Sequence, residues 1–331
     1  MIKKIGFTML GVLFITGLLY ADLIVYGVRQ LSGQLKLLRS TIPIERALEE
    51  PFFTPEEKSK LQLILRVRRW AEQELTLNVG NNYAEIALQD SGSTMYVVTA
   101  AHPFELKSYQ WHYGPVGKMA YKGFFNKKLA LEEADRMREL GFDTDIGIAG
   151  GWSTLGILND PVLSGMLNRD SVSLIELIIH ESVHATVFRW GETEWNENLA
   201  TAIGEIGAEQ FVRNELQDEG LYERHRRKEE ERSKRRAFIH EKAIELDSTY
   251  KSWEQRRLPE NERIKQKKAW LNDFKKAYVE QTGVEKWPEY KALNNTLFTD
   301  FLNYRSANDS IKKVLIEEFE HDIPAFLESL E

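Results

Sequence analysis

Cysteine is absent from the 331-residue chain, which excludes disulfides, thiolate zinc sites and cysteine nucleophiles together. A surplus of positive charge is missing as well. With 44 Lys and Arg against 51 Asp and Glu, a net charge of -7 and a pI near 5.7, the chain lacks the concentrated basic surface that phosphate neutralisation needs, so no nucleic-acid partner is expected. There is no repeat of fixed period and no extended low-complexity tract. What remains is a globular composition, 42% hydrophobic and 29% charged, at a length that suits one large or two ordinary domains.

One long hydrophobic run stands at the N-terminus. Lys3 and Lys4 precede "IGFTMLGVLFITGLLYA", uncharged until Asp22, and "LIVYGV" carries the apolar character on to Arg29. Ile5 to Ala21 is near the lower limit for spanning a bilayer; continuation to Val28 makes the segment long enough, with Asp22 near the interface. A cleaved secretory signal is the alternative, with Ala21 suited to a cleavage site and Leu19 not. Residues 1–28 are therefore expected to be an N-terminal membrane anchor or signal segment. Lys3 and Lys4 would stay cytoplasmic and the rest of the chain would lie outside the cytoplasm.

The remainder, 29–331, reads as one α+β, mainly helical domain. In 29–160, "GQLKLLRSTIPIERALEE" and "TPEEKSKLQLILRVRRWAEQEL" read as two amphipathic helices, the second opened by Thr54 as N-cap, Pro55 and two glutamates. "NYAEIALQDSGSTMYVVTA" reads as two strands around an Asp-Ser-Gly-Ser turn. "KMAYKGFF" and "DTDIGIAG" add extended segments, and the helix "KKLALEEADRMREL" ends at Gly141. Within 215–331, Glu215 to Lys276 is dominated by Lys, Arg and Glu with spaced apolar residues. It predicts a long helical hairpin with a solvated face, turned at "RRLPENER"; the alternative is a surface for a protein partner or lipid headgroups.

The block 161–214 carries the chemistry. "LIELIIHESVHATVFRW", Leu174 to Trp190, is an apolar run into which His180, Glu181 and His184 intrude. Buried polar groups without partners cost about 2 kcal/mol or more each. On a helix, positions four apart are separated by about 400°, so both imidazoles share a face and can bind one cation. Zinc accepts nitrogen and oxygen ligands in a tetrahedral site, and Glu181 can reach a metal-associated water without being a ligand. A third ligand is needed. "WGETEWNENLATAIGEIGAEQF" follows, and Glu197 lies 13 positions beyond His184, which fits a short turn and the start of an antiparallel helix. Ala200, Thr201, Gly204, Gly207 and Ala208 would let that helix pack closely. Glu192 and Glu194 compete from within the turn, and Glu205 is two turns farther away.

"LIIHESVHATVFRWGETEWNENLATAIGEIGAEQF" resembles the putative aminopeptidase family of bacterial membrane-associated zinc metallopeptidases, in which a His-Glu pair and a second His precede "D-T-x-F-N-E-x-x-A", here "ETEWNENLA". "LSGQLKLLRSTIPIERAL", "VGKMAYKGFF", "STLGILNDPVLSGML" and "ALNNTLFTDFLNY" look like further blocks of that family. The resemblance implies a zincin-like fold of gluzincin type, one Zn2+ held by His180, His184 and Glu197, and Glu181 as general base. It also implies a peptide or protein substrate and a place in the bacterial cell envelope. The family's lipoprotein cysteine is missing, His112 and Lys118 stand in the block where members often have a cysteine pair, and Lys122 takes the place of a frequent arginine.

For the oxyanion of a tetrahedral intermediate the candidate is Tyr304, with a packed interfacial tyrosine as the alternative role. Trp152, Ser153 and Thr154 in "AGGWSTLG" are candidate substrate-binding residues, or parts of a turn that needs its glycines. His102, His112, His225, His240 and His321 share no ligand spacing, and His225 and His240 are expected to be solvated. The expected function is zinc-dependent hydrolysis of peptide bonds by an aminopeptidase. An endopeptidase of envelope proteins, or a membrane-tethered, non-catalytic zinc-containing interaction protein, are the alternatives.

Overall fold

The computed structural model describes residues 21–88, 95–114, 117–148, 159–283, 287 and 292–330. The chain is mainly helical with small sheets, an α+β arrangement. The described residues open with α1 (Ala21–Arg39), which runs without a break through residue 28 and is tied to the domain by Tyr26, whose hydroxyl donates to the Gly123 carbonyl at 3.0 Å. Among the described residues no helix is long and apolar enough to cross a membrane; residues 1–20 of the expected anchor lie outside them.

The first of the two expected helices is interrupted. After α1 comes a short strand, β1 (Thr41–Pro43), and only then α2 (Ile44–Glu49). The Ser40 and Thr41 hydroxyls donate to the Leu37 and Leu38 carbonyls at 2.7 and 3.0 Å, and Pro43 has no N–H to continue the ladder. The second helix, α3 (Pro55–Glu74), forms as its start signals indicate. Thr54 Oγ1 accepts from Glu57 N at 3.2 Å and the Glu57 carboxylate accepts from Thr54 N at 2.8 Å, satisfying two otherwise orphaned donors. Leu61, Ile64, Val67 and Ala71 form its fully buried stripe.

The strands expected on either side of the Asp-Ser-Gly-Ser turn, β2 (Glu85–Ala87) and β3 (Tyr96–Ala101), enter different sheets. Ile86 and Ala87 are both buried, because β2 sits between β1, antiparallel, and β8 (Val162–Leu163), parallel, with Ile86 opposite both Ile42 and Val162. β3 instead takes the centre of a second sheet between β6 (Tyr121–Phe124) and β7 (Asp143–Ile148), both antiparallel. The turn itself lies outside the described residues. β4 (Trp111–His112) and β5 (Lys118–Met119) pair separately. α4 (Lys127–Glu139), capped by Asn126, lays Ala130, Ala134 and Met137 on β3 and β7, and Gly141 at φ +86° turns the chain into β7.

The main core gathers around α5 (Ser171–Thr186), started by Asp170, whose carboxylate accepts from Ser173 N at 3.1 Å, and around α6 (Thr193–Gln210). The two pack closely because Gly204 has no Cβ. One placed there would stand 3.1 Å from the Glu176 carbonyl and 3.3 Å from His180 Cβ. A wide turn, Phe211–Leu216, leads into the charged hairpin, α7 (Glu219–Gln255) and α8 (Glu260–Thr282), reversed where Arg257 takes φ +50°. α9 (Asn295–Glu317), capped by Asn294, and α10 (Ile323–Glu328) complete the chain.

The hairpin is not only a solvated rod. Ile239, Leu246, Tyr250, Trp253 and Phe274 build a second core with Phe298 of α9, and Lys267 reaches Asp143 at 2.6 Å. The expectation of solvated histidines is corrected by the same packing. His225 is buried and His240 half-buried, with Nδ1 3.4 Å from the Phe301 carbonyl oxygen, because this face of α7 is turned inward against α5 and α9.

Candidate active site

The geometry follows from one helix, one turn and one buried amide. α5 carries Glu176, His180 and His184 at four-residue steps on one face, with Glu181 beside them. The chain leaves α5 at Val187, turns through Gly191 at φ +83° and enters α6. Asn196, 2% exposed, pins that turn: its Oδ1 accepts from Arg189 N at 2.9 Å and its Nδ2 donates to the Arg189 carbonyl at 2.8 Å. The Arg189 guanidinium lies 3.7 Å from the centre of the Trp195 ring. The next residue, Glu197, then faces the histidines.

Its two oxygens are shared between the imidazoles, Oε2 at 3.5 Å from His180 Nε2 and Oε1 at 3.5 Å from His184 Nε2. The rings stand nearly perpendicular, centroids 4.9 Å apart. The other candidates are elsewhere. Glu192 precedes α6 and lies 3.8 Å from Arg189, Glu194 is exposed, and Glu205 is engaged by Lys312 at 2.8 Å and Arg236 at 3.8 Å.

Burial keeps the His184 imidazole neutral, with its pKa pulled down to about 4 against the attraction of Glu197. Burial also opposes charge on His180, but the contact with Glu197 and the field of Glu181 outweigh it and raise its pKa. Glu197 is held below the usual carboxylate range: burial pushes it up, and the two histidines more than offset that. Glu181 is pushed up to about 7, chiefly by burial, with Glu197 and Asp160 adding and His180 and Arg169 opposing. A carboxyl poised near neutrality can both take and return a proton.

A cavity of about 320 Å³ opens beside His180 and Glu181, with Arg169, Glu229 and Arg232 among its walls. Tyr121 of the edge strand β6, partly exposed, lies within the field of Glu197 and Glu181; burial first, then the charges of Glu197, Tyr26 and Glu181, raise its pKa. Sequence reasoning passed over Tyr121, since nothing in "KMAYKGFF" marks it as near residues sixty or more positions away. Lys122 points elsewhere, bound to Glu133 at 3.2 Å and lying 5.1 Å from the centre of the Tyr26 ring. Tyr304 falls on α9, but its side chain is outside the described residues, as are Trp152, Ser153 and Thr154 altogether.

A family model described as putative aminopeptidase matches residues 25–331. The chain belongs to that family. No curated protein and no solved structure matches it. The family's description points to peptide hydrolysis, with peptides as the substrate class. The match spans nearly the whole chain, so it takes in α5 and α6 together with the sheets and the charged hairpin.

A second group of potential ligands includes Glu176 and Glu229, which line the same cavity. Glu176, one turn before His180, faces His225 and Glu229 of α7, with potential ligand atoms all within 4.8 Å of one another. Burial, and then the charge of Glu229, pushes the Glu176 carboxyl up to about 7. The spacing of Glu176 from His180 was a visible signal; the approach of α7 was not.

Proposed function

We propose that the protein is a zinc-dependent peptidase, and an aminopeptidase in keeping with its family, with His180, His184 and Glu197 as zinc ligands. The observation that carries the reading is the convergence of two imidazole nitrogens on the two oxygens of one carboxylate, each pair 3.5 Å apart. That is long for a hydrogen bond. Ligands about 2.1 Å from one tetrahedral ion stand roughly 3.4 Å from each other, so the donor set fits zinc in type and spacing. The fit has one departure, since the buried His184 Nδ1 has no hydrogen-bond partner where a second-shell acceptor is usual. A zincin-like arrangement of gluzincin type is the fold that goes with this reading.

Bound zinc would supply Lewis acidity, acidifying a water and polarising the scissile carbonyl. Glu181 takes the proton from the attacking water on its carboxylate and returns it to the nitrogen of the leaving amine. Its burial suits it to both tasks. The Tyr121 hydroxyl, in the field of Glu181 and Glu197, donates to the oxyanion that develops on the substrate carbonyl. Tyr304 is the second candidate for that role, and Trp152, Ser153 and Thr154 are candidate substrate contacts.

The proposed location is the bacterial cell envelope, with the catalytic domain tethered outside the cytoplasm through residues 1–28. Supporting this, α1 carries an exposed apolar row, Ile24, Val28, Leu31 and Leu35, from the expected anchor into the domain.

The test is zinc content and hydrolysis of a peptide library, measured for the wild type and for Glu181→Gln. The reading expects about one zinc at this site in both proteins, and a loss of about 100-fold or more in turnover for the variant. Single residues released from the N-terminus identify an aminopeptidase; internal cuts identify an endopeptidase. Zinc bound with no cleavage by the wild type would move the reading to a non-catalytic zinc protein.

A further inference from the structure

Outside the His180, His184 and Glu197 centre, the described residues hold another place where buried polar atoms face each other without a partner. His225, on α7, is 4% exposed, and its Nε2 has no hydrogen bond. It points at Glu176 Oε1 on α5, also buried and without a hydrogen bond, at 3.6 Å. Glu229, one turn after His225, brings a carboxylate oxygen to the same point.

We propose that Glu176, His225 and Glu229 form a second divalent-cation site, separate from the zinc centre and independent of the peptidase reading. The separation is the first argument. A proton shared between carboxylate and imidazole draws the heavy atoms to about 2.8 Å, and 3.6 Å is too long for that. It is close to the roughly 3.4 Å between ligands of one tetrahedral ion, and matches the spacing of Glu197 from the two histidines.

The surroundings are the second argument. Glu229 is held by Arg232 and by Arg236 at 3.3 Å, and the far oxygen of Glu176 lies 3.8 Å from Arg232. These guanidiniums orient the carboxylates, as the outer partners of metal ligands do, yet leave Glu176 Oε1 and His225 Nε2 unserved. A cation there satisfies both atoms and joins α5 to α7. One imidazole and two carboxylates form a borderline ligand set, suited to Zn2+ or Mn2+.

The experiment is metal stoichiometry, with no activity readout. The full chain is stripped with chelator, loaded with Zn2+ or Mn2+, freed of excess by gel filtration and assayed for bound metal, alongside His225→Ala, Glu176→Gln and His184→Ala. Circular dichroism confirms that each is folded, and Glu176→Gln, nearly isosteric, stands in if His225→Ala unfolds. The expected result is two ions in the wild type and one in each variant. Equal metal content in the wild type and in both His225→Ala and Glu176→Gln overturns the proposal. If the wild type holds one ion that only His184→Ala removes, the second site is refuted and the zinc centre stands. If His225→Ala and Glu176→Gln remove the one ion and His184→Ala does not, the second site stands and the zinc centre fails.

Discussion

Gly204→Ala is a one-methyl perturbation that should be felt seven residues away, at Glu197. An alanine Cβ at 204 would stand 3.1 Å from the Glu176 carbonyl oxygen and 3.3 Å from His180 Cβ. The first is a backbone atom inside α5 and cannot swing aside. Relief to ordinary contact requires the helices to part by about 0.3 Å, in a core whose packing tolerates little added volume. Alanine also favours a helix over glycine by about 1 kcal/mol, against an overpacking cost of about 1–3 kcal/mol. The net change in stability is therefore a loss of about 0–2 kcal/mol.

The site should suffer more than the fold. Glu197 is on α6 and both histidines are on α5, so separation of the helices lengthens the ligand spacing by more than the about 0.2 Å that metal sites accept. Zinc affinity should fall about 10-fold or more, read by competition with a chromophoric chelator, while thermal unfolding in EDTA shifts little. Gly207→Ala is the control one turn on, where the nearest atoms are flexible side-chain methyls, Leu75 Cδ1 at 3.0 Å and Ile179 Cδ1 at 3.2 Å. It should keep its zinc. Wild-type affinity in Gly204→Ala, or equal losses in both variants, would refute the argument that this glycine sets the spacing of the site.

Removing the Tyr121 hydroxyl with Phe should lower kcat about 100-fold with zinc content unchanged; an unchanged kcat would remove Tyr121 from the mechanism. Asn196→Ala deletes both bonds to Arg189 and should cost about 2 kcal/mol in denaturant unfolding, together with weaker zinc binding because Glu197 loses its fixed approach. For pH, Glu133 gives a definite sign. Burial pushes its carboxyl up, but bonds from Arg136 and Trp111 and the Lys122 charge hold it below the ordinary 4.5. Its folded pKa is thus below the unfolded one, and its stabilisation is present above about pH 4.5 and lost as pH falls through the lower folded value. Glu133→Gln should lower stability at pH 7 by about 1–3 kcal/mol and lose less than the wild type on acidification, as followed by thermal unfolding between pH 7 and 3.

α5 and α6 present opposite demands in one pair of helices. Their apolar faces need close packing, and the proposed function requires His180, Glu181 and Glu197 to stay within reach of solvent and substrate. Gly204 and the other small residues of α6 meet the first demand; the cavity beside His180 meets the second. α7 closes the back of that cavity with Arg232, Arg236 and Glu229. The charged hairpin thus contributes directly to the wall beside His180 and Glu181.

The sequence by itself determined the features governed by short range. His180 and His184 share a face because the helical period places positions four apart together, the capping box of Thr54 and Glu57 needs only three residues, and the turn that brings Glu197 back to the histidines spans only a few. The long hairpin was likewise legible in its charge pattern. Tertiary structure decided the rest. β2 and β3 read as a hairpin but part into two sheets, because Ile86 and Ala87 find burial only between β1 and β8. His225 reads as one histidine among solvated charges until α7 lies against α5, and Tyr121 reaches the site only because β6 is an edge strand beside it. Such partners are set by packing between segments 44 to 76 residues apart, and no local period or propensity encodes the face that a distant helix or strand will meet.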